Sequence, residues 1–218
     1  MARGIFLSSR YSAGLLLFLF TWLPASGGSP APTHPGAQLN ALLKQAPRAN
    51  PDALRMALQA VDRAAHGPIP ARSDVVALID YSRPSTEPRL WVFDLRRNRL
   101  LFEELVAHGK NSGENVPVRF SNAPGSLMSS LGVFVTAETY NGQHGYSLRL
   151  DGLDKGVNDN SRERAIVVHG ADYVDPALAL RQGRIGRSFG CPAVRPAISK
   201  QLIDTVRGGA VFFAYYPG

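Results

Sequence analysis

The chain has 218 residues, 44% of them hydrophobic and 19% charged, with a net charge of +7 and a single cysteine. That length supports one domain with a full hydrophobic core, and a lone cysteine excludes a disulfide-stapled scaffold. The basic balance favours anionic partners, but no long basic run and no basic stretch interleaved with aromatics occurs, so the sequence argues against a nucleic-acid partner.

The opening "MARGIFLSSRYSAGLLLFLFTWLPASGGSPAP" places Arg3 and Arg10 before an apolar run, Leu15 to Leu23, and small residues around Ala25 to Gly28. This is the order of a signal peptide, expected over 1–27. The run is shorter than the ~20 apolar residues a membrane span needs, so the expectation is cleavage and export to the periplasm or cell envelope, with no integral membrane span afterwards. An uncleaved anchor is the alternative. No cysteine follows the run, which disfavours lipid attachment. Loss of Arg3 and Arg10 leaves a mature net charge of +5. Residues 28–36 form a flexible tether rich in Pro, Gly and Ser.

Residues 37–73 follow as a helical segment. "AQLNALLKQA" and "NPDALRMALQAVDRAAHG" have helical spacing, and Leu54, Leu58 and Val61 share a face. Asn50 can cap the second helix, Pro51 suits its first position, Asp52 complements its positive end and Gly67 can close it. From residue 74 the period changes to two. Strands are predicted in "VVALIDYS", "RLWVFDL", "RLLFEELVAHG", "GVFVTAETY", "YSLRLDG", "RAIVVHG" and "GAVFFAYY", separated by turn clusters. One late helix, "PAISKQLIDTVRGG", interrupts them. The predicted architecture is a mainly β sandwich or barrel over 74–218, with an N-terminal helical hairpin.

The lone cysteine, Cys191, lies in "GRSFGCPAV". A cysteine nucleophile acts as its thiolate and needs a base, a cation or a helix terminus to lower its pKa. Of the five histidines, His34 lies in the tether and His66 ends a helix; both read as solvated. His108 and His169 end apolar strands, and His144 sits in the turn "NGQHGY". His169 is favoured as the base because the segment after it carries Cys191 on a turn with glycines at 183, 186 and 190, whose amides could hold an oxyanion. For Cys191 the alternative is a small buried hydrophobe, which the neighbouring Arg184, Arg187 and Arg195 disfavour. For His169 the alternative is a satisfied rim histidine, and for His144 a solvated turn residue. Every histidine precedes the cysteine, the reverse of the papain-like order. No His-x-x-x-His or Cys-x-x-Cys spacing occurs, so neither metal nor cofactor is expected.

A β-rich exported domain with "VVHG" followed by "RSFGC" resembles the YkuD-like L,D-transpeptidase catalytic domain, and more narrowly the murein L,D-transpeptidase branch. The similarity spans roughly Val75 to Gly218. It implies Cys191 as nucleophile, His169 as general base, and Ser188 and Gly190 as the polar and glycine positions of the Ser-x-Gly-Cys motif. By analogy of position, His144, Tyr146, Gly170 and Arg187 become candidates for substrate contact. Phe189 stands where the common motif has His, and Ala193 where it has Arg or Asn. The spacing from His169 to Cys191 is long, which implies an enlarged loop, "ADYVDPALALRQGRIG", beside the site.

The resemblance implies a peptidoglycan-processing acyltransferase. The thiolate attacks a tetrapeptide stem between the L-centre of its diamino acid and the terminal D-Ala, D-Ala leaves, and an amine of a second stem resolves the thioester. Partners would be peptidoglycan stem peptides, with carbapenem β-lactams as covalent inhibitors. The alternatives are an L,D-carboxypeptidase that passes the same thioester to water and, further off, a non-catalytic peptidoglycan-binding module.

Overall fold

The computed structural model describes residues 35–67, 69 and 71–218, together with Met1. The expected leader, most of the expected tether, and His34 lie outside the described residues. Helix α1 (Pro35–Gln45) leads through a short turn into α2 (Pro51–Ala65). The start of α2 is fixed locally: Asn50 Oδ1 accepts the N–H groups of Asp52 and Ala53 at 2.8 and 3.2 Å, with Pro51 at the first helical position. A cap of this kind contributes about 1 kcal/mol. Its buried face is mostly alanine (Ala53, Ala57, Ala60 and Ala64 with Leu54 and Val61), and such small side chains let the helix lie close to a sheet.

That sheet has eight strands: β1 (Arg72–Asp80), β2 (Leu90–Asp94), β3 (Arg99–Glu104), β4 (Gly132–Gly142), β5 (Gly145–Gly152), β6 (Val167–Gly170), β7 (Ala193–Val194) and β8 (Ala210–Tyr215). Their spatial order is β3-β2-β1-β8-β4-β5-β6-β7. β1 and β8 are parallel, as are β6 and β7, and the other pairs are antiparallel. The central strands read as continuous apolar runs because both faces are covered. Val76 and Leu78 of β1, with Val211 and Phe213 of β8, pack under α1 and α2 beside Trp91 and Phe93. Ala77 and Ile79, with Phe212 and Ala214, face the opposite core. Leu202, Ile203 and Val206 of α4 (Pro196–Val206) close that second core. The mainly β architecture, the helical hairpin and the late helix agree with expectation.

Two elements differ from the sequence pattern. The run read as one strand from Arg99 stops being β3 at Glu104, and its continuation does a different job. Ala107 N–H donates to Ala193 O (2.8 Å), Ser188 N–H to His108 O (2.9 Å) and Lys110 N–H to Ser188 O (2.8 Å). These bonds join the segment after β3 to β7 and the turn before it, so the two edges of the sheet meet and nearly close it into a barrel. Across the seam, Arg195 makes a bidentate pair with Glu104 at 2.9 and 2.7 Å. The second difference is a short helix, α3 (Pro176–Gln182), within the segment expected to be a loop. Asp175 Oδ1 caps it by accepting Ala177 N–H at 2.8 Å, and Gly183 ends it at φ 71°.

Candidate active site

Cys191 sits where the barrel seam closes, on the turn between the Ser188–Gly109 bridge and β7. The turn is held from inside. Ser188 Oγ–H donates to Cys191 O at 2.6 Å and accepts Gly190 N–H at 3.1 Å. Gly190 adopts φ +127°, and a Cβ there would lie 2.8 Å from Met128 O, so only glycine fits. The expectation that the Gly190 amide would hold an oxyanion is corrected by this geometry, because Ser188 already occupies that N–H. Among the described residues the Cys191 N–H, like that of Phe189, makes no hydrogen bond.

The sulfur is half-buried and densely surrounded, against the apolar core that contains Ile166 and Val168. Its thiol donates to Ala165 O at 3.6 Å. Burial pushes the thiol pKa above the ordinary 9.0, opposed by the Val167 N–H directed at the sulfur and by the charge of Arg164. Arg164 is the cation whose field reaches Cys191, and no local pattern marks it in the sequence. Its guanidinium is gripped by Ser121 O (2.7 Å), Ser130 Oγ (2.5 Å), Ser126 Oγ (3.2 Å) and Met128 O (2.6 Å). The arginines expected to surround the thiol point elsewhere. Arg187 Nη1 donates to Glu114 Oε1 (2.7 Å) and to the carbonyls of Gly113 and Lys110 (2.9 and 3.1 Å), Arg184 pairs with Glu114 at 3.0 Å, and Arg195 with Glu104. The guanidinium expected to meet substrate at Arg187 is thus committed to the 110–114 segment.

His169 lies on β6 between Ser147 of β5 and Ala193 of β7. A carbonyl only accepts, so the 2.9 Å contact of its Nδ1 with Gly170 O places a proton on Nδ1 and the lone pair on Nε2. Burial lowers its pKa below the ordinary histidine value, and the neighbouring His144 pushes the same way against the Gly170 bond. The His144 ring is stacked on it, 4.4 Å between centroids at 22°. At neutral pH the imidazole is uncharged and carries a base-competent nitrogen. Among the described residues no hydrogen bond joins this ring to the sulfur.

His108, the competing candidate, is not a rim residue. It is fully buried, Arg89 Nη2 donates to its Nδ1 at 2.7 Å, and its Nε2–H donates to Gly113 O at 3.3 Å. Burial, reinforced by the Arg89 charge, holds its pKa down at about 3. Both nitrogens are spent, so the ring cannot take a proton from a substrate or thiol. Arg89 is buried too, its other donors on Val106 O and Arg83 O, and burial lowers it to about 10. The pair acts as a brace, since His108 O accepts the Ser188 N–H that opens the cysteine turn.

A cavity of about 460 Å³ is walled by His144, the ring stacked on His169, with Tyr146, Gly170, Asp172, Tyr173 and Ser199. Three of the four expected substrate contacts therefore converge there, while Arg187 does not line it. Tyr146 OH donates to Asp204 at 2.8 Å. Gly170 packs closely on α4, where a Cβ would lie 2.8 Å from Ser199 Oγ and 3.3 Å from the Pro196 backbone. Asp172 and Tyr173 belong to the segment expected beside the site, although the sequence reading singles out neither. Among the described residues no cluster of three or more potential metal-ligating side chains occurs, and no helix is long and apolar enough to cross a membrane.

A family model described as the L,D-transpeptidase catalytic domain matches residues 45–215. The chain belongs to this family. Solved structures that share fold elements include an L,D-transpeptidase from Mycobacterium smegmatis (15% identity, TM-score 0.40, covering 66% of this chain and 59% of that one). Others are an L,D-transpeptidase in complex with imipenem (15%, 0.39, 65% and 59%) and the helical cell shape determining protein Pgp2 from Campylobacter jejuni (13%, 0.45, 66% and 48%). The chain thus spans about three-fifths of the length of the first two. No curated protein matches it significantly.

Proposed function

We propose that this protein is an exported, cell-envelope L,D-transpeptidase in which Cys191 carries the acyl group and His169 moves the protons. The observation that carries this reading is the tautomer of His169. Its Nδ1–H is fixed on Gly170 O, which leaves Nε2 as acceptor, on the strand that pairs directly with the one following Cys191. Thiol and imidazole rest uncharged, because burial raises one pKa and lowers the other. The imidazole takes the thiol proton as Sγ attacks the stem carbonyl, and the free Cys191 N–H supports the oxyanion. The proton then passes to the leaving D-Ala amine, and a thioester remains. An amine of a second stem resolves it, with water as the competing acceptor. Ser188 acts by positioning the turn. Carbapenem β-lactams, whose strained carbonyl meets the same sulfur, would acylate Cys191.

The test uses the full chain with tetrapeptide-bearing wall fragments. The expected result is D-Ala release and an acyl mass increment on Cys191, with imipenem giving an adduct on the same residue. Both signals vanish in a folded Cys191→Ala variant; undiminished D-Ala release by that variant overturns the proposal.

A further inference from the structure

Among the described residues three positions other than glycine have positive φ, and two of them flank the cysteine turn. Asn98 (φ 50°) lies in the β2–β3 turn, where asparagine takes this conformation readily. Leu127 (φ 57°) and Ala165 (φ 51°) carry side chains that disfavour it, and such strain persists only where the surroundings enforce it. Around Ala165 the backbone is pinned. Arg164 N–H donates to Asn160 O (2.8 Å), Ala165 N–H to Arg162 O (3.1 Å) and Ile166 N–H to Ser161 O (2.9 Å). The Ala165 carbonyl presented by this turn accepts the Cys191 thiol at 3.6 Å. Around Leu127, Asn111 N–H donates to Leu127 O (3.1 Å), and the next carbonyl, Met128 O, is the atom that a Cβ on Gly190 would meet at 2.8 Å. The two strained segments are joined by one side chain. Arg164 Nη2 donates to Met128 O and Ser126 Oγ, Nη1 donates to Ser121 O and Ser130 Oγ, and a Cβ on Gly190 would lie 3.3 Å from Nη2. All four acceptors are uncharged oxygens, so this grip sets the course of an irregular backbone.

We propose that Arg164 is a positioning residue for acyl transfer. It clamps the 126–130 segment to the turn that presents Ala165 O, and so holds the Cys191 thiol in one resting place from which it must swing to His169. The inference rests on the transpeptidase reading and adds the resting state of its nucleophile. At rest the proton stays on Sγ and is donated to Ala165 O, since a carbonyl only accepts. With substrate bound, the Cα–Cβ bond of Cys191 turns from one staggered position to another, and the same S–H is aimed at His169 Nε2. The imidazole takes that proton as the bond from Sγ to the stem carbonyl forms. Ala165 gives up no proton, Arg164 keeps its own, and the guanidinium donates to none of the reacting atoms. What the clamp supplies is a defined start. Without it, the turn and the segment behind Gly190 drift apart, the thiol spreads over several rotamers, and the productive approach is diluted.

A single cysteine gives the full chain a single S–H stretching band, which infrared absorption reads directly. The wild-type band is expected below the frequency of a free alkyl thiol, as for a donating S–H, and Cys191→Ala should lack it. Arg164→Met should move the band up to the free-thiol frequency. The same variant should slow the maximal rate of acylation by imipenem about 10–100-fold, the scale of a small misplacement of reacting groups, with the half-saturating concentration unchanged. Arg164→Lys keeps the charge but cannot span four acceptors, so it should behave as Arg164→Met does. Ala165→Gly adopts φ +51° without strain and should keep the wild-type band, whereas Ala165→Val should shift it with the guanidinium intact. A merely structural Arg164 would lower the melting temperature and leave the band in place. A wild-type band at the free-thiol frequency, an unmoved band in folded Arg164→Met, or a band restored by Arg164→Lys overturns the clamp and leaves the transpeptidase reading standing. Absence of both D-Ala release and an imipenem adduct from the wild type overturns the transpeptidase reading and the swing to His169 with it.

Discussion

Acid should destabilise this protein well before its carboxylates titrate, through His108. In the folded chain the ring is buried against Arg89 Nη2 at 2.7 Å and its pKa is about 3, against an ordinary 6.5. The unfolded chain therefore binds the proton that the native state refuses, and the stability present above pH 6.5 is lost as pH falls toward 3. At pH 5 the loss is about 2 kcal/mol relative to pH 7, and it saturates at about 5 kcal/mol below pH 3. Carboxylates held low by partners, such as Asp74 and Glu103, have ordinary values of 3.8 and 4.5, so they contribute mainly below the pH 7 to 5 window. His169 adds loss of the same sign, and a variant separates the two. His108→Gln keeps an acceptor for Arg89 and a donor for Gly113 O without a titrating group. Urea unfolding at pH 7 and 5 should show the wild type losing about 2 kcal/mol more than His108→Gln over that interval. Equal losses in the two proteins would refute the assignment of a buried, neutral His108.

Three further outcomes follow from the cysteine turn. With its pKa above 9.0, the Cys191 thiol should be alkylated by iodoacetamide at a rate climbing roughly tenfold per pH unit from 6 to 9; a plateau near neutrality would mean a preformed thiolate–imidazolium pair. Arg164→Met removes one of the influences favouring the thiolate and should push that midpoint higher still, while leaving Ser121 O and Met128 O without their guanidinium donor, a loss of about 1–3 kcal/mol read by thermal unfolding. Gly190→Ala puts a Cβ 2.8 Å from Met128 O at φ +127°, so it should destabilise the protein by about 1–3 kcal/mol and slow acylation of Cys191 by imipenem. An alanine variant with wild-type melting and acylation would show that the turn is not held as described.

What could be read from the sequence was what local chemistry decides. The α2 cap at Asn50 and Pro51, the apolar runs of β1 and β8, the histidine ending β6 and the Gly-rich turn that carries Cys191 each have their signal within a few residues. Helix α3 has a cap at each end, Asp175 with Pro176 and then Gly183, but buries only Ala179, so no apolar period marks it. β7 is two residues long and exists because its edge meets Ala107 across the seam. Leu105–Gly109 looked like more of β3 because an apolar extended segment reads the same whichever partner it finds. The misplaced site residues fail for a related reason. Whether Gly190 N–H is free depends on the rotamer of Ser188, and whether Arg187 is free depends on Glu114, 73 residues away along the chain.

The arginines make the same point about charge. A basic composition suggests a basic site, yet the guanidinia around the cysteine turn are spent on structure: Arg89 on carbonyls and His108, Arg164 on the 121–130 segment, Arg187 on Glu114, Arg195 on Glu104. Arginine suits this bracing because one planar group satisfies several carbonyls that an irregular backbone cannot pair itself. Once those cations are committed, the cavity beside His144 and Tyr146 is left without a guanidinium in its wall. The chain's net charge acts over a Debye length on any anionic partner, while the contacts made at close range are set by the side chains that this bracing leaves free.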